Sequence, residues 1–347
     1  MDFRKHLIHE GESVKDALSK LNALAADAIL FVTDNMGHLI GSLTDGDIRR
    51  GFLRGLTFDS TISQFIQANP IYIKKDTTSF YELDSYRKRN LRIIPIVDEG
   101  HTIVDVLNLR TKGALLPLDV VMMAGGRGER LMPLTENCPK PLLKVGEKPI
   151  IEHNIDRLVY FGIERIIIPI RYLGHQIKAY LGDGGAKNIN IQYVEEEQPL
   201  GTFGALSLVE EFRTEHILLM NSDILTNIDF ADFYKSFIES GADLMVASLS
   251  YQVKVPYAVL EVENGDIISL SEKPTYNYYS NGGIYLFKKS LLAHLIKGAY
   301  FDATDFMQML IDRKAKVTHY PILGYWLDIG RHEDLEKAQK DIKHITL

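Results

Sequence analysis

The sequence predicts an α/β protein in two parts, and three observations carry that expectation. A strand–turn–helix pattern occurs twice in the first third of the chain at one fixed offset. An apolar strand, Leu118–Ala124, runs straight into a glycine-rich loop, and a second, Ile217–Met220, leads to Asp223. A chain of 347 residues is also longer than one ordinary domain. The expected division is 1–115, with repeats at about 1–63 and 64–115, followed by 118–347.

The repeat is read as follows. Leu7–Val14 is a short strand, a turn and a helix start, echoed by Ile71–Thr78. Ile29–Asp34 is echoed by Ile93–Asp98. Glu12 and Asp76, like Asp34 and Asp98, stand 64 positions apart. A constant offset between strand–turn patterns marks an internal duplication. Apolar spacing predicts amphipathic helices over Val14–Leu24 and Phe80–Arg89. Leu39–Leu43 is a further strand, and Thr44 is placed to cap a helix whose first turn carries Asp45 and Asp47.

These residues, Gly41-x-x-Thr44-x-x-Asp47-Ile48 after the strand Ile29–Thr33, resemble a CBS domain, and the repeat resembles a tandem CBS pair over roughly 1–115. The resemblance implies that Thr44 and Asp47 hold the ribose of an adenine nucleotide. The alternative is that they only cap the helix. The second copy, Val104–Arg110, lacks Thr-x-x-Asp, so one cleft at most is competent.

Composition narrows the function classes. With 39 Lys and Arg against 46 Asp and Glu, the net charge is −7. An acidic chain is poorly suited to unspecific nucleic-acid or anionic-membrane binding, so no nucleic-acid and no membrane partner is expected. The single Cys138 excludes an intrachain disulfide and a cysteine zinc site. No apolar run approaches the ~20 residues of a membrane span, and none follows Met1–His6, so the expected compartment is the cytoplasm.

The segment 111–117 holds a Gly and a Pro and reads as a linker. After it, Ala124-Gly125-Gly126-Arg127-Gly128 follows the strand at once. Glycines there let backbone amides approach a phosphate chain closely. The dinucleotide fingerprint fails, because Glu129 or Arg130 stands where its third glycine belongs, and no Walker loop is present. Arg130 and Lys140 lie ten residues apart on a proline-stiffened loop, which suits a triphosphate.

The string Gly125-Gly126-x-Gly128-x-Arg130-Leu131-x-Pro133-Leu134-Thr135, then Pro139-Lys140-Pro141-Leu142, is similar to the signature of the sugar-1-phosphate nucleotidyltransferases. The likeness runs over about 118–340. It implies a Rossmann-like mixed sheet (GT-A-like) preceded by the α+β CBS pair. It also implies that Glu195, Gly201 and Thr202, in Gln192–Thr202 before an expected helix Ala205–Phe212, lie against the base. The Glu-rich run Glu195–Glu197 looks most like guanylyltransferase members, since a carboxylate can accept from guanine N1–H and the 2-amino group. A solvated charge run is the other reading of it. Asp223 and Asp328 are implied ligands of Mg²⁺. Glu272, Lys273, Asn281 and Gly283 are implied contacts of the sugar and its phosphate.

The implied reaction joins an NTP, GTP by preference, to a sugar 1-phosphate and releases pyrophosphate. Arg130 and Lys140 would be the catalytic cations. The domain order resembles the glucosamine-1-phosphate guanylyltransferases of legionaminic acid synthesis, with mannose 1-phosphate as the other candidate substrate. Thymidylyl or uridylyl transfer, and a non-catalytic nucleotide sensor, are the alternatives. A homo-oligomer is expected. A closing helix is expected over Glu333–Lys343.

Overall fold

The structure is a computed structural model that describes residues 2–74, 85–86, 89–110 and 114–347. It divides into two units, Met1–Leu115 and Leu116–Leu347.

In the first unit, β1 (Leu7–His9), β2 (Leu30–Thr33), β3 (Leu39–Leu43) and β4 (Gln67–Ala68) form one sheet in that order. A second sheet holds β5 (Ile73–Lys74), β6 (Ile93–Val97) and β7 (Ile103–Asn108). Both run parallel and then antiparallel. The duplication holds residue by residue. Leu30 faces Leu43 as Ile94 faces Leu107, and a bulge at Val32/Thr33 recurs at Ile96/Val97. Asp34 Oδ1 accepts from the His38 amide as Asp98 Oδ1 accepts from that of Thr102, at 2.9 Å each. The copies part at the first strand: His9 faces Thr33, but Ile73 faces Ile96, one residue short of the offset.

The halves share a core in which Phe31 and Leu39 pack with Ile93, Val97, Ile103 and Val106. The helix Val14–Leu24 forms over the predicted span, with a Ser13–Asp16 capping box. The echo Lys75–Thr78 and most of Phe80–Arg89 lie outside the described residues, as do 111–113 of the linker.

In the second unit, β8 (Leu118–Met123) is the centre of a seven-stranded sheet. Between β8 and the next sheet strand, β9 (Lys144–Val145) and β10 (Lys148–Pro149) make a small antiparallel pair. β11 (Arg165–Ile170) and β12 (Asn190–Glu195) then continue the sheet on one side of β8, and β13 (His216–Asn221) lies on the other, all four parallel. β14 (Ile224–Thr226) leaves the sheet. Next come β15 (Leu244–Lys254), a hairpin of β16 (Val259–Glu263) and β17 (Asp266–Ser271), and the long β18 (Thr275–Lys288). β19 (Val317–Pro321) closes the sheet beyond β15, and β20 (Trp326–Asp328) pairs with β14. The order is β12-β11-β8-β13-β18-β15-β19, with β18 antiparallel to both its neighbours.

Chain direction across the sheet reverses at β8. In open α/β sheets the crevice at the carboxyl ends beside such a switch binds ligands. Beneath it lies an apolar cluster in which Phe203 stacks on Phe306 at 4.2 Å between ring centroids. The helix expected over Ala205–Phe212 lies earlier. A helical turn at Gly201–Gly204 runs into a 3-10 turn at Ala205–Leu208, which ends at Val209. Gly201 at φ 74° opens this bend, and an added Cβ there would lie 2.8 Å from the Phe301 carbonyl oxygen. The closing helix spans His332–Asp341. Among the described residues no helix is long and apolar enough to cross a membrane.

Candidate active site

The carboxyl ends of β8 and β13 are level, because Met123 pairs with Asn221. The Ser222 amide and hydroxyl both donate to the Met123 carbonyl, at 3.1 and 2.6 Å. The glycine loop and Asp223 are therefore neighbours, although a hundred residues separate them in the chain. β14 starts one residue after Asp223, and its Ile224 faces Asp328 on β20. The Ile329 amide donates to the Asp223 carbonyl at 3.1 Å. This small ladder sets the two carboxylates side by side.

Lys140 lies between them. Its ammonium donates to Asp223 Oδ2 and stands 3.8 Å from Asp328 Oδ1. Its side chain is 11% exposed, so the charge is held by these partners rather than by water. Gly128, at φ 66°, lets the loop close on it: an added Cβ there would come within 3.1 Å of the Lys140 Cβ. Arg130 completes the group, with its guanidinium 3.0 Å from where a Cβ on Gly330 would be. Burial raises the Asp328 pKa, and the Asp223 carboxylate raises it further, while Lys140 and Arg130 pull it back down.

Two hollows meet at this cluster. One, of about 280 Å³, is lined by Gly125, Gly126, Arg171, Glu196, Gly201, Thr202, Asn221 and Asp223, among others. The other, of about 260 Å³, is lined by Asn221, Asn281, Gly282, Gly283, Tyr285, Trp326 and Asp328, with Ile224. Asn221 belongs to both. Around Gly126 an added Cβ would meet nothing within 4 Å, so its backbone faces open space. Ala124 is buried below, with its amide bonded to Pro169. In the second hollow, Asn281 donates to the Tyr285 hydroxyl at 2.8 Å and accepts from the Gly283 amide at 2.9 Å. Its side-chain amide shapes the wall as well as facing the hollow. Trp326 Nε1 donates to the Gly282 carbonyl at 2.9 Å.

Three expected contacts are placed elsewhere. Glu195, the last residue of β12, is exposed and paired with Lys178 at 2.5 Å. The next residue, Glu196, is the buried one, and it faces the glycine loop: a Cβ on Gly125 would come within 2.8 Å of its Oε1. Successive side chains on an extended chain point to opposite faces, so one position decides which glutamate enters the cleft. The Leu200 amide donates to Glu196 Oε2 at 3.3 Å. Burial pushes the Glu196 carboxyl above the usual range, and that amide and the Arg171 guanidinium partly offset the shift.

Glu272 and Lys273 are also not at the cluster. Both side chains are more than two thirds exposed, with 3.9 Å between their charged atoms. The segment before Asn281 is regular strand, paired without a break from Asn281 opposite Ser248 to Thr275 opposite Lys254. Six residues at ~3.3 Å each put Thr275 about 20 Å from Asn281. Sequence reasoning missed Arg171 and Asn221, and from the run Glu195–Glu197 it named Glu195 rather than Glu196. Asn221 was legible as the polar end of an apolar strand, whereas Glu196 was masked by its run of like neighbours.

Two carboxylates can carry a divalent cation when phosphate oxygens complete its shell. The residues fit that use: Asp223 Oδ1 is buried and has no hydrogen-bond partner. Among the described residues no third His, Cys, Asp or Glu joins the pair.

In the first unit, Thr44 caps the helix Asp45–Leu53, and its hydroxyl donates to Asp47 Oδ2 at 2.5 Å. Asp47 Oδ1 accepts from Arg50 at 2.6 Å and Gln67 at 3.1 Å. Asp47 is 3% exposed and its pKa lies below the usual range; burial would raise it, but the hydrogen bonds from Thr44, Gln67 and Arg50 outweigh that. The capping role is thus realised. Thr44→Ala is expected to cost about 1 kcal/mol, seen as faster amide exchange across Asp45–Leu53; unchanged exchange would refute it.

A glycine cleft at the switch point of a mixed sheet, beside a lysine shared by two aspartates, is a site built for phosphates. Residues 119–345 match the family described as nucleotidyl transferase, and the chain belongs to that family. Residues 6–54 match the CBS domain. The chain is similar to a mannose-1-phosphate guanylyltransferase of Mycobacterium tuberculosis, 30% identical over 236 residues, covering 65% of this chain and 64% of that protein. It is also 30% identical over 226 residues to the mannose-1-phosphate guanylyltransferase catalytic subunit beta of Dictyostelium discoideum, covering 62% of each. The chain thus spans a little under two thirds of these curated relatives. A solved Bacillus anthracis structure, provisionally assigned as a glucose-1-phosphate thymidylyltransferase and holding sucrose, matches at TM-score 0.54 and 26% identity, over 66% of this chain and 97% of that one.

Proposed function

We propose that the chain transfers GMP from GTP to a sugar 1-phosphate, glucosamine 1-phosphate or mannose 1-phosphate, releasing pyrophosphate. The observation that carries this reading is the cluster of Lys140, Asp223 and Asp328 at the junction of two hollows, one glycine-lined and one walled by amide and aromatic groups. The first hollow suits a nucleotide and the second a sugar.

An oxygen of the sugar phosphate attacks the α-phosphorus, a new P–O bond forms, and the bond to the β-phosphate oxygen breaks as pyrophosphate leaves. The nucleophile is already an anion, so the residues need only position and neutralise. Arg130 faces the β- and γ-phosphates. Lys140 serves the α-phosphate from its place between the aspartates. Asn281 and Gly283 shape the sugar pocket. Glu196 accepts from guanine N1–H and the 2-amino group, which adenine and pyrimidines do not offer together. Asp223 and Asp328 would hold Mg²⁺, which when bound offsets repulsion between the two anionic reactants. Lys273 has no part in this arrangement.

The first unit is read as a tandem CBS pair in the cytoplasm. A hollow of about 340 Å³ beside Asp47, lined in part by Arg50 and Arg54, supports an adenine nucleotide there. The test is pyrophosphate release with Mg²⁺, four NTPs and glucosamine, mannose and glucose 1-phosphates, with and without AMP or ATP. Turnover confined to GTP supports the reading. Turnover with dTTP or UTP overturns the base assignment, and none with any pair favours the sensor alternative.

A further inference from the structure

The nucleotide hollow has a cation that the chemistry above does not use. Ile170, the last residue of β11, faces Glu195, the last of β12, and the Glu196 amide still donates to the Ile170 carbonyl at 3.0 Å. One step beyond the ladder therefore brings Arg171 level with Glu196, and side chains in register point to the same side of a sheet. Gly125 lies against both: an added Cβ would come within 2.8 Å of Glu196 Oε1 and 3.6 Å of the Arg171 Cβ. Arg171 and Glu196 line this hollow and also a smaller one of about 230 Å³ beside it, so together they make the partition between the two.

Arg171 is half-buried. Among the described residues its guanidinium makes no hydrogen bond, and Glu196 attracts it from beyond ion-pair distance. Its donors are unspent, in contrast to those of Lys178, which lines the smaller hollow and is paired with Glu195 at 2.5 Å.

A carboxylate and a guanidinium side by side on one wall form a pattern that the edge of a base matches or fails to match. Guanine presents, in order, the O6 acceptor, the N1–H donor and the 2-amino donor. Glu196 accepts from the last two, which leaves O6 beside the guanidinium. Adenine and cytosine carry an amino group where guanine has O6, and would set donor against donor. Uracil and thymine keep an acceptor at that place, but turn their O2 toward the carboxylate.

We propose that Arg171 is a second specificity-determining residue, whose guanidinium donates to guanine O6 and turns away bases with an amino group there, while Glu196 turns away uracil and thymine. The inference rests on the GTP reading above and divides its selectivity between two side chains.

The test compares kcat/KM for GTP, ATP, inosine triphosphate and 6-thio-GTP in the wild type, Arg171→Met and Arg171→Ala. The pH is mildly alkaline, to keep Glu196 ionised, and thermal unfolding verifies the fold of each variant. 6-Thio-GTP changes only O6, to a poorer acceptor, and inosine triphosphate lacks only the 2-amino group. The wild type is expected to prefer GTP over 6-thio-GTP about tenfold. Both variants should bring that ratio to within about twofold of unity and lower the preference for GTP over ATP by about tenfold or more. The ratio of GTP to inosine triphosphate should stay as in the wild type. An Arg171 that acted only through Glu196 would move the inosine ratio and leave the 6-thio ratio alone, and a merely structural Arg171 would lower all four rates together. A wild type that prefers GTP and shows either pattern on substitution, or no discrimination against 6-thio-GTP, overturns this inference alone. A wild type that prefers another nucleotide overturns the GTP reading and this inference with it.

Discussion

Asparagine in place of Asp223 is expected to cut pyrophosphate release about a thousandfold while the chain stays folded. The substitution keeps the shape of the side chain and its ability to accept from Lys140. It removes one of two negative charges that hold that ammonium and that would hold a divalent cation. Lys140 keeps Asp328 at 3.8 Å, so the buried cation is not stranded, and the stability loss should stay near 1–2 kcal/mol. The readout that separates site from scaffold is the metal. The Mg²⁺ concentration for half-maximal rate should rise sharply, with the thermal midpoint lowered by only a few degrees. A variant with near wild-type turnover at ordinary Mg²⁺ would remove Asp223 from the chemistry.

Glutamine in place of Glu196 is expected to lower the kcat/KM preference for GTP over ATP about fiftyfold. A hydrogen bond to a charged acceptor contributes ~1.5–3 kcal/mol, and the amide has one accepting oxygen and an NH2 donor where the carboxylate has two acceptors. The wild-type chain should also show a pH signature. Burial raises the Glu196 pKa, so the carboxyl takes up its proton at a higher pH than an ordinary glutamate would. The KM for GTP should therefore climb on acidification earlier than for an ordinary carboxylate, and this rise should be absent from the variant. Glu195→Gln should alter neither, since Glu195 is exposed and paired with Lys178. A preference that follows position 195 instead would overturn the assignment.

What was legible in the sequence is what the chain writes contiguously. Gly125 to Lys140 is one loop, so its glycines, Arg130 and Lys140 could be read as one phosphate-handling segment before any coordinates. Asp223 could be placed at a strand end because four apolar residues point to it. Its partner could be named by resemblance, but the contact itself depends on the β14–β20 ladder, which no local pattern announces. Glu196 was hidden by phase, since a run of three glutamates does not show where the strand ends. Lys273 was named by resemblance alone, and no local pattern announces that the Tyr- and Asn-rich sequence after it runs as strand for about 20 Å before Asn281. Among the described residues the duplication was legible at β2–β3 and β6–β7 but not at β5, where a one-residue slip in pairing leaves the apolar pattern unchanged.

Trp326 is the only tryptophan in the chain. Its indole nitrogen is bonded to Gly282 in the wall of the second hollow, two residues from Asp328. The protein thus carries a single indole, and it is stationed in the wall of one hollow. Emission excited at the red edge of the indole band, beyond tyrosine absorption, reports on that hollow, with no tryptophan background from the N-terminal unit. If the proposed sugar 1-phosphate enters that hollow, its binding can be followed by light without nucleotide, label or turnover.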